Sequence, residues 1–168
     1  MIVQRLITAV WIFSAATALV ATGICHAAEP ALQIKGPSGN TLALSIDDLK
    51  RLPQKSAKIE ESPGVFAEYQ GVALHEVLKA TEAPGDRNVR GTALRQYAVV
   101  QASDGYQAIF ALTETDPAFT DRLILLCYLK DAKPLSVDEG PLRLVISAEK
   151  RHARWVRQIK RIDVKQVD

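Results

Sequence analysis

The chain has 168 residues, of which 48% are apolar and 24% charged, with two cysteines and a formal net charge of +2. That size carries one domain with a substantial core, and the composition excludes a disordered chain, a collagen-like repeat and a multispanning membrane protein. Two cysteines exclude a disulfide-rich scaffold and a four-sulfur zinc site, and the small net charge is no general signature of polyanion binding.

Residues 1–27 read as a secretory signal peptide. Arg5 precedes an uncharged apolar run from Leu6 to Thr22, and Cys25-His26-Ala27 places small residues at the minus-three and minus-one positions of a cut after Ala27. The apolar run falls short of a bilayer span, and no twin-arginine pair precedes it. The expectation is a periplasmic domain over 28–168, with no stable membrane span after cleavage. Cys127 is its single cysteine, so no intramolecular disulfide forms. Charge along it is uneven: residues 28–148 hold 13 basic and 16 acidic side chains, whereas 149–168 hold 7 and 3.

In chain order, Ala31–Lys35 and Thr41–Ser45 flank the turn-forming run Gly36-Pro37-Ser38-Gly39-Asn40 and read as a hairpin. Ser45-Ile46-Asp47-Asp48 opens a short helix as a capping box, with Ile46, Leu49 and Leu52 at helical spacing and Pro53 as the stop. Lys55–Glu60 and Val65–Tyr69 alternate as strands around Ser62-Pro63-Gly64, and Leu74–Ala80 reads as a helix. Pro84-Gly85-Asp86 breaks the chain. Tyr97–Ala102 and Tyr106–Ala111 form a hairpin about Ser103-Asp104-Gly105, and a loop or helical turn surrounds Asp116-Pro117. Leu123–Leu129 and Leu142–Ser147 are apolar strand candidates. The end is ambiguous, since Trp155, Ile159 and Ile162 suit a helix while Ile162 and Val164 suit a strand. Short helices between hairpins indicate an α+β domain with mixed sheets rather than a doubly wound α/β fold.

Few residues offer chemistry. Beyond the leader the histidines are His75, on the predicted second helix, and His152; no Gly-x-Ser-x-Gly elbow, Walker loop or dinucleotide fingerprint is present. Cys127 sits in Leu-Ile-Leu-Leu-Cys-Tyr-Leu, where a thiol is a small buried hydrophobe with a raised pKa. No metal site is expected. The carboxylate pairs Asp47-Asp48, Glu60-Glu61 and Asp138-Glu139 read as caps or solvated turns. One segment stands out: Lys150-Arg151-His152-Ala153-Arg154-Trp155-Val156-Arg157, where forked guanidinium groups beside an aromatic suit a phosphate or carboxylate. Nucleic acid is not an expected partner of an exported chain without general basicity.

Five segments in order resemble a known family. They are Tyr69-Gln70-Gly71-Val72-Ala73-Leu74 running on to Leu78; Ser103-Asp104-Gly105-Tyr106; Leu123–Leu126 with Asp131-Ala132-Lys133-Pro134-Leu135; Gly140-Pro141-Leu142-Arg143-Leu144-Val145; and Arg151–Val156 followed by Ile162-Asp163-Val164. Together, over about residues 31–165, they resemble the oxidoreductase molybdopterin-binding domain with its sulfite-oxidase fold. The resemblance implies a molybdopterin cofactor, a metal-binding cysteine just upstream of the Gly-Val-x-Leu element, and a cation before the closing Trp that helps hold the pterin phosphate. Here that cation is Arg154, with Arg151 and His152 as neighbours. The stretch Ala57–Tyr69 holds no cysteine, so autonomous catalysis is in question. The expectation is therefore a periplasmic oxidoreductase or redox-accessory domain that binds a pterin phosphate or similar anion through its closing basic motif. The alternative is a cofactor-free module of the same fold that binds a periplasmic protein partner or a small anionic ligand.

Overall fold

A computed structural model describes residues 30–81 and 89–167. The leader and the break at Pro84-Gly85-Asp86 lie outside the described residues. No helix among the described residues is long and apolar enough to cross a membrane.

Period-two patterning builds most of the domain. β1 (Leu32–Lys35) buries Leu32 and Ile34 and pairs antiparallel with β2 (Thr41–Leu44). Ser45 then caps α1 (Ile46–Arg51), and the capping box closes as expected: Ser45 Oγ accepts from the Asp48 amide while the Asp48 carboxylate accepts from the Ser45 amide. β3 (Gln54–Ser62) turns tightly into β4 (Val65–Ala73), and α2 (Leu74–Lys79) follows directly with Leu74, Val77 and Leu78 on its buried face. A 3-10 turn at Gly91–Arg95 leads into the hairpin of β5 (Gln96–Ala102) and β6 (Gln107–Ala111), and the helical turn expected near Asp116 is α3 (Leu112–Thr115). β7 (Ile124–Lys130) turns into the two-residue β8 (Lys133–Pro134), and β9 (Arg143–Ile146) returns beside β7.

The ambiguous end is a strand, β10 (Ile159–Gln166), with a 3-10 turn at His152–Arg154 before it. A register shift between Ile159 and Arg161 explains the helix-like spacing. An irregularity inserted into the ladder brings Ile159 and Ile162 to the same buried face, although they are an odd number of residues apart.

Two five-stranded sheets result. The first runs β2-β1-β10-β5-β6 and is mixed, because β1 pairs parallel with β10; the second runs β3-β4-β7-β8, with β9 also on β7. The pairs of the second are antiparallel, so the expected mixing is confined to the first sheet. β7 is interior to its sheet and buried on both faces, which is why its sequence is continuously apolar. At Gly71 the β4 backbone passes so close to β7 that a Cβ would sit 2.1 Å from the Leu126 carbonyl oxygen. Only glycine fits there.

Candidate functional site

The β3–β4 hairpin and the segment after β9 face one another across a cleft of about 600 Å³. One wall carries Lys58, Glu60 and Glu61; the other carries Glu149, Lys150 and His152, with Trp155 between them. His152 lies flat on the Trp155 indole, ring centroids 3.6 Å apart, and both rings also border a second cleft of about 700 Å³ that contains Arg143 and Arg157. The stacked pair is thus the partition between two hollows. The 3-10 turn at His152–Arg154 places it there, since Trp155 caps that turn with its amide on the His152 carbonyl.

Under the first wall lies an ion cluster. Glu61 accepts from Lys130 Nζ at 2.8 Å and from the Tyr69 hydroxyl, and Arg143 Nη1 stands 3.6 Å away. Arg143 donates to the Tyr69 hydroxyl at 2.8 Å, ion-pairs with Glu139, and lies over the Tyr69 and Trp155 rings. Burial alone would raise the Glu61 pKa, but the hydrogen bonds from Lys130 and Tyr69 outweigh it and hold the carboxyl below its ordinary range. Burial and the Glu61 contact push the Tyr69 hydroxyl upward, so it remains a donor. Glu61 and Glu139 therefore correct the expectation of solvated turns: Glu61, at the end of β3, and Glu139, in the turn before β9, both send their carboxylates into the cluster. Glu60 accepts from the Gly64 amide at 2.8 Å, and Asp138 borders the second cleft. Sequence signal for the cluster was limited to a lone Arg inside an apolar strand, Arg143.

The three residues picked out in the basic motif separate. His152 borders both clefts. Arg151 is exposed and lines neither. Arg154 also lines neither: its Nε and Nη2 both donate to Glu149 Oε1, at 2.9 and 2.6 Å, its Nη1 donates to Glu114 at 2.9 Å, and its guanidinium covers the Phe110 ring. Burial opposes its charge, yet the hydrogen bonds to Glu149 and Glu114 raise its pKa above the ordinary value. The guanidinium is already matched by two carboxylates, so the cations that border the clefts are Lys58 and Lys150 at the first and Arg143 and Arg157 at the second, with the His152 ring at both.

Cys127 is fully buried in β7 and donates to the Arg143 carbonyl at 3.0 Å; burial pushes its thiol up to about 12. His75, on α2, contacts Glu76 at 3.0 Å, away from both clefts. Among the described residues no group of three or more His, Cys, Asp or Glu side chains is placed to hold a metal.

The family model for the oxidoreductase molybdopterin binding domain matches residues 57–168, which runs from β3 through β10 and includes both walls of the first cleft. The chain belongs to this family. Its architecture resembles the sulfane dehydrogenase SoxCD of Paracoccus pantotrophus, with a TM-score of 0.60 and 18% identity. That likeness is one of fold, and it covers 80% of this chain and 37% of the other. No curated protein matches.

For this molybdopterin-family domain, the organic and metal parts of the implied cofactor fare differently. Three buried polar atoms at the clefts have no protein partner among the described residues: Trp155 Nε1, Arg143 Nε and Glu149 Oε2. Glu149 borders the first cleft, Arg143 the second and Trp155 both, so the first hollow offers one orphaned donor and one orphaned acceptor, which a heterocycle such as a pterin can match. The stacked rings and flanking lysines suit a flat anionic molecule. The metal has no thiolate to meet: Ala57–Tyr69 forms the β3–β4 wall without a cysteine, and Cys127 is sealed in the core.

Proposed function

We propose that this oxidoreductase-like domain is exported and uses the cleft between the β3–β4 hairpin and the His152–Trp155 turn to hold a small anionic, ring-bearing ligand, of which a pterin phosphate is the family's own example. One observation carries the reading. The two segments to which the resemblance assigns cofactor contacts, 57–69 and 150–155, are far apart in sequence and form opposite walls of a single hollow of ligand size. Charge supports an anion. Glu61 and Glu149 are compensated from behind by Lys130, Arg143 and Arg154, which leaves Lys58 and Lys150 against Glu60 at the opening, with the His152 ring nitrogens beside them. The anion contact moves from Arg154 to these groups.

In the chain from residue 28 onward Trp155 is the sole tryptophan, so its emission reports on the cleft. A fluorescence titration with a phosphate-bearing pterin should saturate, and Lys150→Glu should weaken binding by about tenfold, the loss of one charge-assisted contact. A flat titration in the wild type overturns the reading. It would favour instead the cofactor-free module for a protein partner, for which Val65 and Phe66, about half exposed on β4 beside the hairpin turn, supply an apolar surface.

A further inference from the structure

The wall built from residues 57–69 is where the family's metal-binding thiolate is expected, and one of its side chains, Glu61, reaches from the cleft into the interior. Its side chain is 22% exposed. With Lys130, Arg143, Glu139 and Tyr69 it forms a group of two carboxylates, two cations and a phenol that is neutral within itself. For Glu61 to coordinate a metal it would have to leave Lys130 and Tyr69, stranding a half-buried ammonium, at a cost of several kcal/mol per uncompensated ion. A carboxylate is moreover a hard donor where the family uses a soft one. Cys127 offers no substitute, since its sulfur is engaged by the Arg143 carbonyl in the β7–β9 ladder, behind the backbone contact at Gly71.

We infer that Glu61, on the wall where the family's metal-binding residue is expected, locks that wall shut, so that this domain forms no bond from protein to molybdenum and holds its ligand through the organic part alone. The inference rests on the cleft being the ligand site, and its measurement separates the two. The full chain, its Glu61→Cys variant and its Glu61→Gln variant are exported from a host that makes the molybdenum cofactor. Molybdenum is read by elemental analysis, its bond to protein by X-ray absorption, and pterin by the fluorescence of its oxidised form. Molybdenum that arrives on the pterin dithiolene should carry no protein ligand in the wild type or in Glu61→Gln, whereas Glu61→Cys should add one sulfur neighbour to it. A protein ligand on wild-type molybdenum that Glu61→Gln removes overturns the inference, as does a folded Glu61→Cys protein whose molybdenum gains no sulfur. If the Cys variant does not fold, the wild type and Glu61→Gln decide: metal held by the first and lost by the second makes Glu61 a ligand and refutes the lock. Absence of pterin from all three counts against the cleft reading, while the metal result stands apart from it.

Discussion

Arg154 closes on Glu149 with two nitrogens, Nε and Nη2, both within 2.9 Å of the same carboxylate oxygen. The other oxygen of Glu149 is buried and without a protein partner, and Glu114 takes the remaining arm of the guanidinium. The arginine that the sequence marks for an external anion is thus the internal counter-ion of two carboxylates, fastening the segment after β9 to α3.

Arg154→Ala should therefore act on the fold. Removing it leaves Glu114 and Glu149 facing each other uncompensated, and the expected loss is about 1–3 kcal/mol, reduced from the fully buried case because the guanidinium is 32% exposed. Arg154→Lys should recover only part of this, because an ammonium cannot reproduce the fork. Urea denaturation of the three proteins checks the order. Arg154→Ala with wild-type stability and weakened ligand binding would return Arg154 to the site.

Acid should loosen the β3–β4 wall through Glu61. Its folded pKa lies below its ordinary 4.5, so the ionised carboxylate stabilises the fold fully above that value, and the contribution disappears as pH falls through the lower folded value. Below about pH 5, the melting temperature of the wild type should fall more steeply than that of Glu61→Gln. At neutral pH the Gln variant should be less stable by about 1–3 kcal/mol, and parallel curves for the two proteins would show that Glu61 is not held ionised.

The turn between β7 and β8, Asp131-Ala132, lacks the glycine that such a turn favours and bears a cost for it. Asp131 and Ala132 both adopt positive φ, 49° and 59°, as a two-residue hairpin of this twist requires. Alanine is strained there by about 1 kcal/mol. Ala132→Gly should stabilise the domain by about 0.5 kcal/mol, after the added freedom of the unfolded chain is deducted. Thermal unfolding of the pair is the check, and a destabilised Gly variant would contradict the strain.

What could be read in advance, and what could not, divides along physical lines. Hairpins with short turns, the Ser45 cap and the buried run around Cys127 are local, so alternation and turn chemistry reveal them. The Ile159–Ile162 spacing looked helical because an irregularity in a ladder cannot be seen from one strand. The cluster of Glu61, Lys130, Glu139 and Arg143 draws on β3, β7, β9 and the loop before β9, and pairings of that range exist only once both sheets are assembled. The basic motif brings His152 to the clefts, but the pairing of Arg154 could not be read from it, since Glu114 lies 40 residues upstream.

Trp155 Nε1 offers the sharpest view of the cleft, being a buried donor without an acceptor beneath the His152 ring. The indole N–H resonance of isotopically labelled protein should move well downfield and exchange more slowly with solvent as a phosphate-bearing pterin is added, and His152→Ala should need about tenfold more ligand for the same shift. A resonance that stays in place while ligand is added in large excess would contradict a ring-binding hollow at this turn.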